Sequence, residues 1–430
     1  MTRRTTRRRF LAGTAGAGLG MCVLADASSA RSYRANEKLG IALVGVGGRG
    51  KWFVDTIPNM ERVVAICDVN RQRAAGAFKK LPDVPKYDDF RKMLDERDKE
   101  IDAVIVATPD NTHAVITMAA IKRNKHVYCE KPLAHDVGEA RAVRDGAKQY
   151  GVASQMGNQG TASGPFRRAV ELVRDGTIGE IKEVHVWNDA GGSNVPNPPE
   201  GTEPVPDFLN WDLWLGPAAD RPFHPRWLHW HAWRDFGTGQ LGNWASHSAN
   251  LAFMALKVDR LWYADPAANL RLRIEAKTSG VNPISFPRYE VIRWQIPARE
   301  DLPAITFNWH NGRAPGSRDL IERTMGDVLD WGDKKEKKWH DHAGALIVGS
   351  KGKIHATAHN ATFRLLPEGE FDDVQKDTPE TLPRSGGHER EWLAACRGGP
   401  AAMSNFDYSG PLAEFLMLGN VATQFEWALE

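Results

Sequence analysis

Cysteine is scarce, four in 430 residues. Cys22 falls in the basic head of the chain; Cys67, Cys129 and Cys396 are odd in number and far apart, two of them in apolar strand-like runs. Neither a disulfide framework nor a zinc site is built that way, so these three read as buried thiols. No stretch reaches the ~18 apolar residues of a membrane span. Glycine (40) and proline (25) show no period, which excludes collagen, and 42% hydrophobic residues exclude wholesale disorder. Excess charge is also missing. The formal net is +2, and residues 1–30 hold five arginines against Asp26, so the remainder is slightly acidic. Nucleic acid would demand a concentrated basic face instead. Tyrosine is sparse at 7, whereas tryptophan reaches 15.

The head reads Thr6-Arg7-Arg8-Arg9-Phe10-Leu11, then a weakly apolar Ala/Gly stretch to Leu24, then small residues through Ala30. A basic start, short apolar middle and small-residue end pattern an export signal, and paired arginines before Phe-Leu specify the twin-arginine route. Residues 1–30 are expected to be a signal peptide, and the mature chain periplasmic or secreted. Met21 before Cys22 is a poor match to a lipoprotein.

From Lys38 the pattern changes. Leu39 to Val44 is a continuous apolar run of strand length, followed by Gly45-Val46-Gly47-Gly48-Arg49-Gly50 and a helix-like segment from Lys51 to Pro58. In G-x-G-x-x-G the glycines allow a tight turn and let a pyrophosphate approach backbone N–H groups at a helix start. A second strand, Val63–Cys67, ends in Asp68, where a carboxylate would bind the adenosine ribose. Its charge opposes a 2′-phosphate and favours NAD over NADP, although Arg71 could pair with such a phosphate and keeps NADP open. Strand and helix patterns then alternate: Ile101–Ala107, Asn111–Asn124, His126–Cys129, Asp136–Tyr150, and a strand from Gly151. Such alternation predicts an α/β fold, a Rossmann dinucleotide-binding domain over 38–157 with a second domain over 158–430.

Two strand ends carry polar residues that packing alone does not require: Thr108-Pro109-Asp110-Asn111-Thr112-His113 and Glu130-Lys131-Pro132. Both belong at the carboxyl edge of the sheet, where a nicotinamide would lie. The expected cofactor-binding residues are Gly45, Gly47, Gly48, Arg49, Gly50, Asp68, Thr108, Pro109, Asn111, His113, Glu130 and Lys131.

These motifs together resemble the Gfo/Idh/MocA oxidoreductase family. Trp211-Asp212-Leu213-Trp214-Leu215-Gly216-Pro217, Trp233-Arg234, Gly242-Asn243-Trp244-Ala245-Ser246-His247 and the tail Asn405-Phe406-Asp407-Tyr408 extend the likeness, which resembles secreted bacterial members, to nearly the whole chain after Lys38. The resemblance implies a C-terminal α+β domain with an open, mostly antiparallel sheet, and hydride exchange between NAD or NADP and sugars, cyclitols or polyols. It implies that Lys131 contacts the substrate near the reacting carbon and that His247 gives or takes the proton, with Trp233, Arg234 and Asn243 also at the substrate. It implies dimers or tetramers through the sheet's outer face. Two positions depart: many relatives carry Asp where this chain has Asn243 and an acidic residue where it has Asn250, and an amide cannot stabilise an imidazolium as a carboxylate does.

Seven of the fifteen tryptophans fall between Trp187 and Trp244, and Ala190–Arg226 reads as a long ordered loop. Indole faces suit the C–H faces of sugar rings. His224, His229 and His231 lack the further ligands of a metal site and are expected to bond substrate hydroxyls or backbone. Strand-like runs over 270–275, 289–296, 304–309, 345–348 and 353–355 predict the second sheet, and Gly312–Lys338 an exposed insertion. An exported enzyme has no free NAD pool, so it must retain and restore its cofactor. Net sugar oxidation coupled to reduction of a second carbonyl satisfies this. So does a redox-neutral glycosidase that oxidises, eliminates, hydrates and reduces. A sugar- or nucleotide-binding protein without turnover is the third reading.

Overall fold

The computed structural model describes residues 37–299, 302–326 and 342–425. The expected signal at 1–30 lies outside the described residues, as does the part of the 312–338 segment beyond Gly326. No described helix is long and apolar enough to cross a membrane.

β1 (Gly40–Val44) and β4 (Ala103–Val106) are buried at every position. Continuous apolar strands of this kind suit a parallel sheet covered on both faces. With β2 (Arg62–Cys67), β3 (Lys86–Tyr87), β5 (His126–Glu130) and β6 (Ser154–Gly157) they form a parallel sheet in the order β3-β2-β1-β4-β5-β6. The direction of winding reverses between β1 and β4. The loops leaving those two strands therefore part and leave a crevice at their carboxyl ends. Helices Asp110–Ile121 and Val137–Tyr150 stand within a few residues of their expected bounds, the second capped by the Asp136 side chain on the Glu139 N–H. Helices Arg71–Lys80 and Phe90–Glu96 and the two-residue β3 had no clear apolar period in the sequence.

The second sheet has the order β13-β12-β11-β7-β10-β9-β8. Its strands are β7 (Ile181–Asn188), β8 (Arg273–Thr278), β9 (Glu290–Ile296), β10 (Ile305–Asn311), β11 (Ala343–Gly349), β12 (Lys353–Thr357) and β13 (Phe363–Leu366). β7 and β10 pair in parallel and all other neighbours antiparallel. One face packs on helix Phe406–Ala422, with Trp294 stacked on Phe415 at 4.5 Å between centroids. That helix also lies beside Val137–Tyr150 of the first sheet's layer, so a single apolar core runs through both halves. On the other face, helix Ser317–Met325 buries Ile321 and Met325 against Trp187 and Leu346. The expectation of an exposed insertion from Gly312 is corrected there: Ile321 and Met325, one turn apart, give this polar helix an apolar stripe.

The loop expected over Ala190–Arg226 is mostly irregular and runs on to Phe236, with one short α-helix, Trp211–Leu215, and two 3₁₀ turns, Pro225–Leu228 and Trp230–Ala232. It carries its own apolar cluster, in which Trp211 stacks on Trp214 at 4.9 Å and Trp227 meets Trp233 edge-on at 4.7 Å.

Glu171, on helix Gly164–Arg174, ties down the chain before the last helices. Its carboxylate accepts from the Thr381 and Leu382 N–H groups at 2.8 and 2.7 Å and pairs with Arg384 at 2.8 Å. Burial alone would raise its pKa; the Arg384 partner and the two amides outweigh burial and bring it down to about 2. A depressed carboxylate adds stability that is complete above its unfolded pKa and vanishes as pH falls through the folded one. Urea midpoints of the wild type are thus expected to drop between about pH 4.5 and about pH 2, and Glu171→Gln, less stable at neutral pH, to show a flatter profile over that window.

Candidate active site

Two glycines set the loop after β1. Gly45 has φ 81°, and a Cβ there would sit 2.5 Å from the Ala107 carbonyl oxygen. At Gly50 a Cβ would meet the Gly45 oxygen at 1.7 Å. The loop is fastened to the end of β2: Val46 and Gly47 N–H donate to Asp68 Oδ2 at 2.9 Å each, and Asn70 N–H to Oδ1 at 2.9 Å. Burial raises the Asp68 pKa, and those three amides oppose the rise. Among the described residues no protein acceptor takes the N–H of Gly48 or Arg49, and a Cβ at Gly48 would find only the Arg73 guanidinium, 3.7 Å away. Free amides beside an open edge and an acidic side chain at the next strand end fit a nucleotide diphosphate with its ribose on Asp68. The nearby cation is Arg73. Arg71, the basic residue noted in the sequence, pairs with Asp88 at 2.6 Å on the surface.

From this loop a cleft of ≈ 1000 Å³ runs over the ends of β4 and β5 to the second half of the chain. Glu130 is not a surface turn residue: it is buried, and its Oε1 accepts from Arg49 Nε at 2.9 Å and Gln159 Nε2 at 2.9 Å. The next residue, Lys131, points its Nζ at Asn243 Oδ1, and Asn243 Nδ2 donates to Gln240 Oε1 at 3.4 Å. Asn243 sits in a wide π-type turn, Leu241–Ala245, a local distortion frequent at functional sites. His247 follows it into the cleft wall. It is buried, its Nδ1 has no partner among the described residues, and its ring centroid is 4.7 Å from that of His359. Burial, then the Lys131 charge, pushes the His247 pKa well below the usual imidazole range. Burial also lowers Lys131, against the pull of Asp110 and Glu130. A neutral imidazole and a destabilised ammonium thus share one water-poor corner, where either can hold or release a proton.

Gly45, Gly47, Gly48, Arg49, Asp68, Thr108, Pro109, His113, Glu130, Lys131, Asn243 and His247 all line this one cleft. Four expected residues do not. Gly50 packs beneath the loop. Asn111 is buried, with Nδ2 on the Leu215 carbonyl at 2.9 Å. Trp233 belongs to the indole cluster, its Nε1 donating to the Arg226 carbonyl at 2.9 Å. Arg234 is engaged by the Asn282 and Ser285 carbonyls at 2.8 and 2.9 Å and by Thr423. The aromatic wall is Trp230, Trp214 and Trp244 instead, with His229 and His231 beside them. His224 caps a turn, Nδ1 accepting from Arg226 N–H at 3.1 Å. Sequence reasoning missed Gln159 and His359. Gln159 lies just past the end of β6, and the polar-strand-end signal that marked Glu130 marks it too. His359 sits in the β12–β13 connection, with no local motif to set it apart.

Residues 39–158 match the Gfo/Idh/MocA oxidoreductase family with its NAD-binding Rossmann fold. Inositol 2-dehydrogenase of Salmonella typhimurium is 29% identical over 152 residues, 34% of this chain and 44% of that protein. Levoglucosan dehydrogenase of Pseudarthrobacter phenanthrenivorans is 28% identical over 158 residues, 34% and 39%. The chain thus spans less than half the length of these curated relatives. Two solved structures share the fold throughout. The WlbA dehydrogenase from Bordetella pertussis in complex with NADH and UDP-GlcNAcA has a TM-score of 0.58 at 16% identity, covering 91% of this chain and 98% of that one. GenD2 from gentamicin A biosynthesis in complex with NAD has 0.57 at 17%, covering 93% and 98%.

Replacing Asp68 by Arg removes the acceptor of three loop amides and places a cation where a ribose would bond. NAD affinity, measured by calorimetry on cofactor-stripped protein, is expected to fall at least about tenfold, roughly the loss of one charged hydrogen bond. Arg71→Ala, outside the cleft, is expected to leave it within about twofold, well inside a surface-substitution effect.

Proposed function

We propose that this chain, whose residues 39–158 belong to the Gfo/Idh/MocA oxidoreductases, oxidises a sugar or related polyol at a ring carbon and keeps its NAD bound through turnover. The observation that carries this reading is the convergence of Lys131, Asn243 and His247 at the far end of the cleft that starts at the glycine loop. NAD, when bound, supplies a hydride acceptor and donor at that end. Lys131 Nζ holds the substrate hydroxyl and stabilises negative charge on its oxygen as the proton leaves. The His247 ring, neutral because it is buried, takes that proton and returns it in the reverse direction. Trp230 and Trp244 offer apolar faces to the ring of the sugar. Asp68 favours NAD over NADP through its charge, with Arg73 as the residue that would accommodate a 2′-phosphate.

Export by the twin-arginine route belongs to this proposal and rests on Arg7-Arg8-Arg9-Phe10-Leu11. Outside the cytoplasm a released NADH would not be replaced, so each turnover must restore the cofactor. A second carbonyl substrate does so; the redox-neutral glycosidase is the alternative, favoured by an Asn at 243 that faces Lys131 with an amide in place of a carboxylate.

Denaturing the purified mature protein is expected to release NAD. Incubation with 4-nitrophenyl glycosides and with paired sugar and ketose substrates separates the two chemistries: nitrophenol without net NADH marks the glycosidase, and dependence on the ketose marks the oxidoreductase. Lys131→Met and His247→Ala are expected to retain NAD and lose about 10²–10⁴ in kcat, the range of a positioned acid–base group. Protein that neither retains nor binds NAD overturns the proposal. Asn243→Asp should raise the Lys131 pKa, because a carboxylate favours the ammonium; the alkaline limb of the kcat profile, where the Lys131 ammonium is lost, is then expected to move to higher pH.

A further inference from the structure

His113 was expected among the cofactor ligands, yet its ring has no nitrogen left for one. It stands in the first turn of helix Asp110–Ile121 and is 1% exposed. Its Nδ1 lies 2.7 Å from the Pro132 carbonyl oxygen and its Nε2 2.9 Å from the Thr108 carbonyl oxygen. A carbonyl oxygen only accepts, so each contact needs a hydrogen on the nitrogen. A neutral imidazole carries one. With either tautomer, one of the two contacts would set lone pair against lone pair within hydrogen-bond distance, where water does not reach to relieve it.

We propose that His113 is held as an imidazolium that braces the ends of β4 and β5, and so acts as a positioning residue for Lys131. The positioning role rests on the reading of Lys131 as the residue facing the reacting carbon; the charge state does not. Thr108 follows β4 and lines the cleft; Pro132 directly follows Lys131. One planar ring, donating in opposite directions, spans the gap between these two neighbouring strand ends and fixes its width. The groups around it accommodate the charge. Asp110 stands one turn earlier on the same helix and is itself buried, its Oδ2 accepting from Thr238. Cys129, from β5, lies on the other side, beside the Leu133 carbonyl. Burial works against the charged ring, but Cys129, Asp110 and the Pro132 carbonyl outweigh it and raise the His113 pKa to about 10. This is opposite in direction to His231, His247 and His359, the cleft-lining imidazoles that burial drives toward neutrality.

The test is long-range ¹H–¹⁵N correlation of the full-length mature protein labelled with ¹⁵N-histidine, recorded with its retained NAD from about pH 6 to about pH 9, a window that brackets ordinary histidine titration. The His113 signals are identified by their loss in His113→Gln. Both nitrogens are expected to show protonated shifts throughout the window. One unprotonated nitrogen near neutral pH overturns the proposal, whatever the turnover. The positioning role is read with the 4-nitrophenyl glycoside or the sugar and ketose pair: His113→Gln is expected to lose at least tenfold in kcat with KM changed less than threefold. Equal kcat in wild type and variant would confine His113 to a structural role. Should His113→Gln fail to fold, His113→Asn serves for assignment, and the wild-type spectrum still decides the charge. Absence of retained NAD would count against the function proposed above, while the ring's protonation state would remain measurable in the same sample.

Discussion

The contact between Lys131 Nζ and Asn243 Oδ1 joins two parts of the chain that fold around different sheets. Lys131 stands at the end of a buried parallel strand; Asn243 belongs to a wide turn that leans on the last helix. Neither residue can reach the other unless the two layers are held in register, and the shared apolar core does this. Helix Phe406–Ala422 is buried between the second sheet and helix Val137–Tyr150, so movement of one half against the other would open a packed interior. The cleft takes its shape from that constraint more than from any one of its polar residues.

Much of the nucleotide end was legible in the sequence, because its parts are local. A glycine loop, the strand before it and the acid at the next strand end lie within 30 residues of one another, and each has a reason to be that residue type. The Glu130-Lys131 pair could be read for the same reason: a buried strand that ends in two charges asks for an explanation. The substrate end was less legible. His359 reaches the cleft from a strand connection more than 100 residues after His247, and no spacing announces such a meeting. Trp233, placed at the substrate by the resemblance, lies in the indole cluster instead, and the sequence offered no check, because an aromatic-rich irregular segment has no period to tell an inward indole from an outward one. β7 was missed because His185 and Trp187 alternate with Val184 and Val186 on a strand buried on both faces. A polar residue at such a position reads as a loop until its partner, here His310 across the sheet, is seen.

The electrostatics of the corner are unusual in what they do without. The two carboxylates nearest Lys131 are already engaged, Glu130 by Arg49 and Gln159, Asp110 by Thr238. The side chain that faces the ammonium is an amide. The titratable side chains left facing this corner are an amine and imidazoles that burial drives toward the uncharged form, and under the proposed function these are the groups that would carry the proton.

The cleft's outer wall is carried by a segment that stabilises itself. Trp211, Trp214, Trp227, Trp233, Phe223 and Phe236 form a cluster apart from the main core, and His229, Trp230 and His231 are displayed from its rim. A patch anchored in this way can exchange its displayed side chains without disturbing the sheets beneath, so under the proposed function the choice of ring and the transfer of hydride would rest on separate parts of the fold. On that reading selectivity and chemistry are mechanically separable, and evolution is free to tune them one at a time.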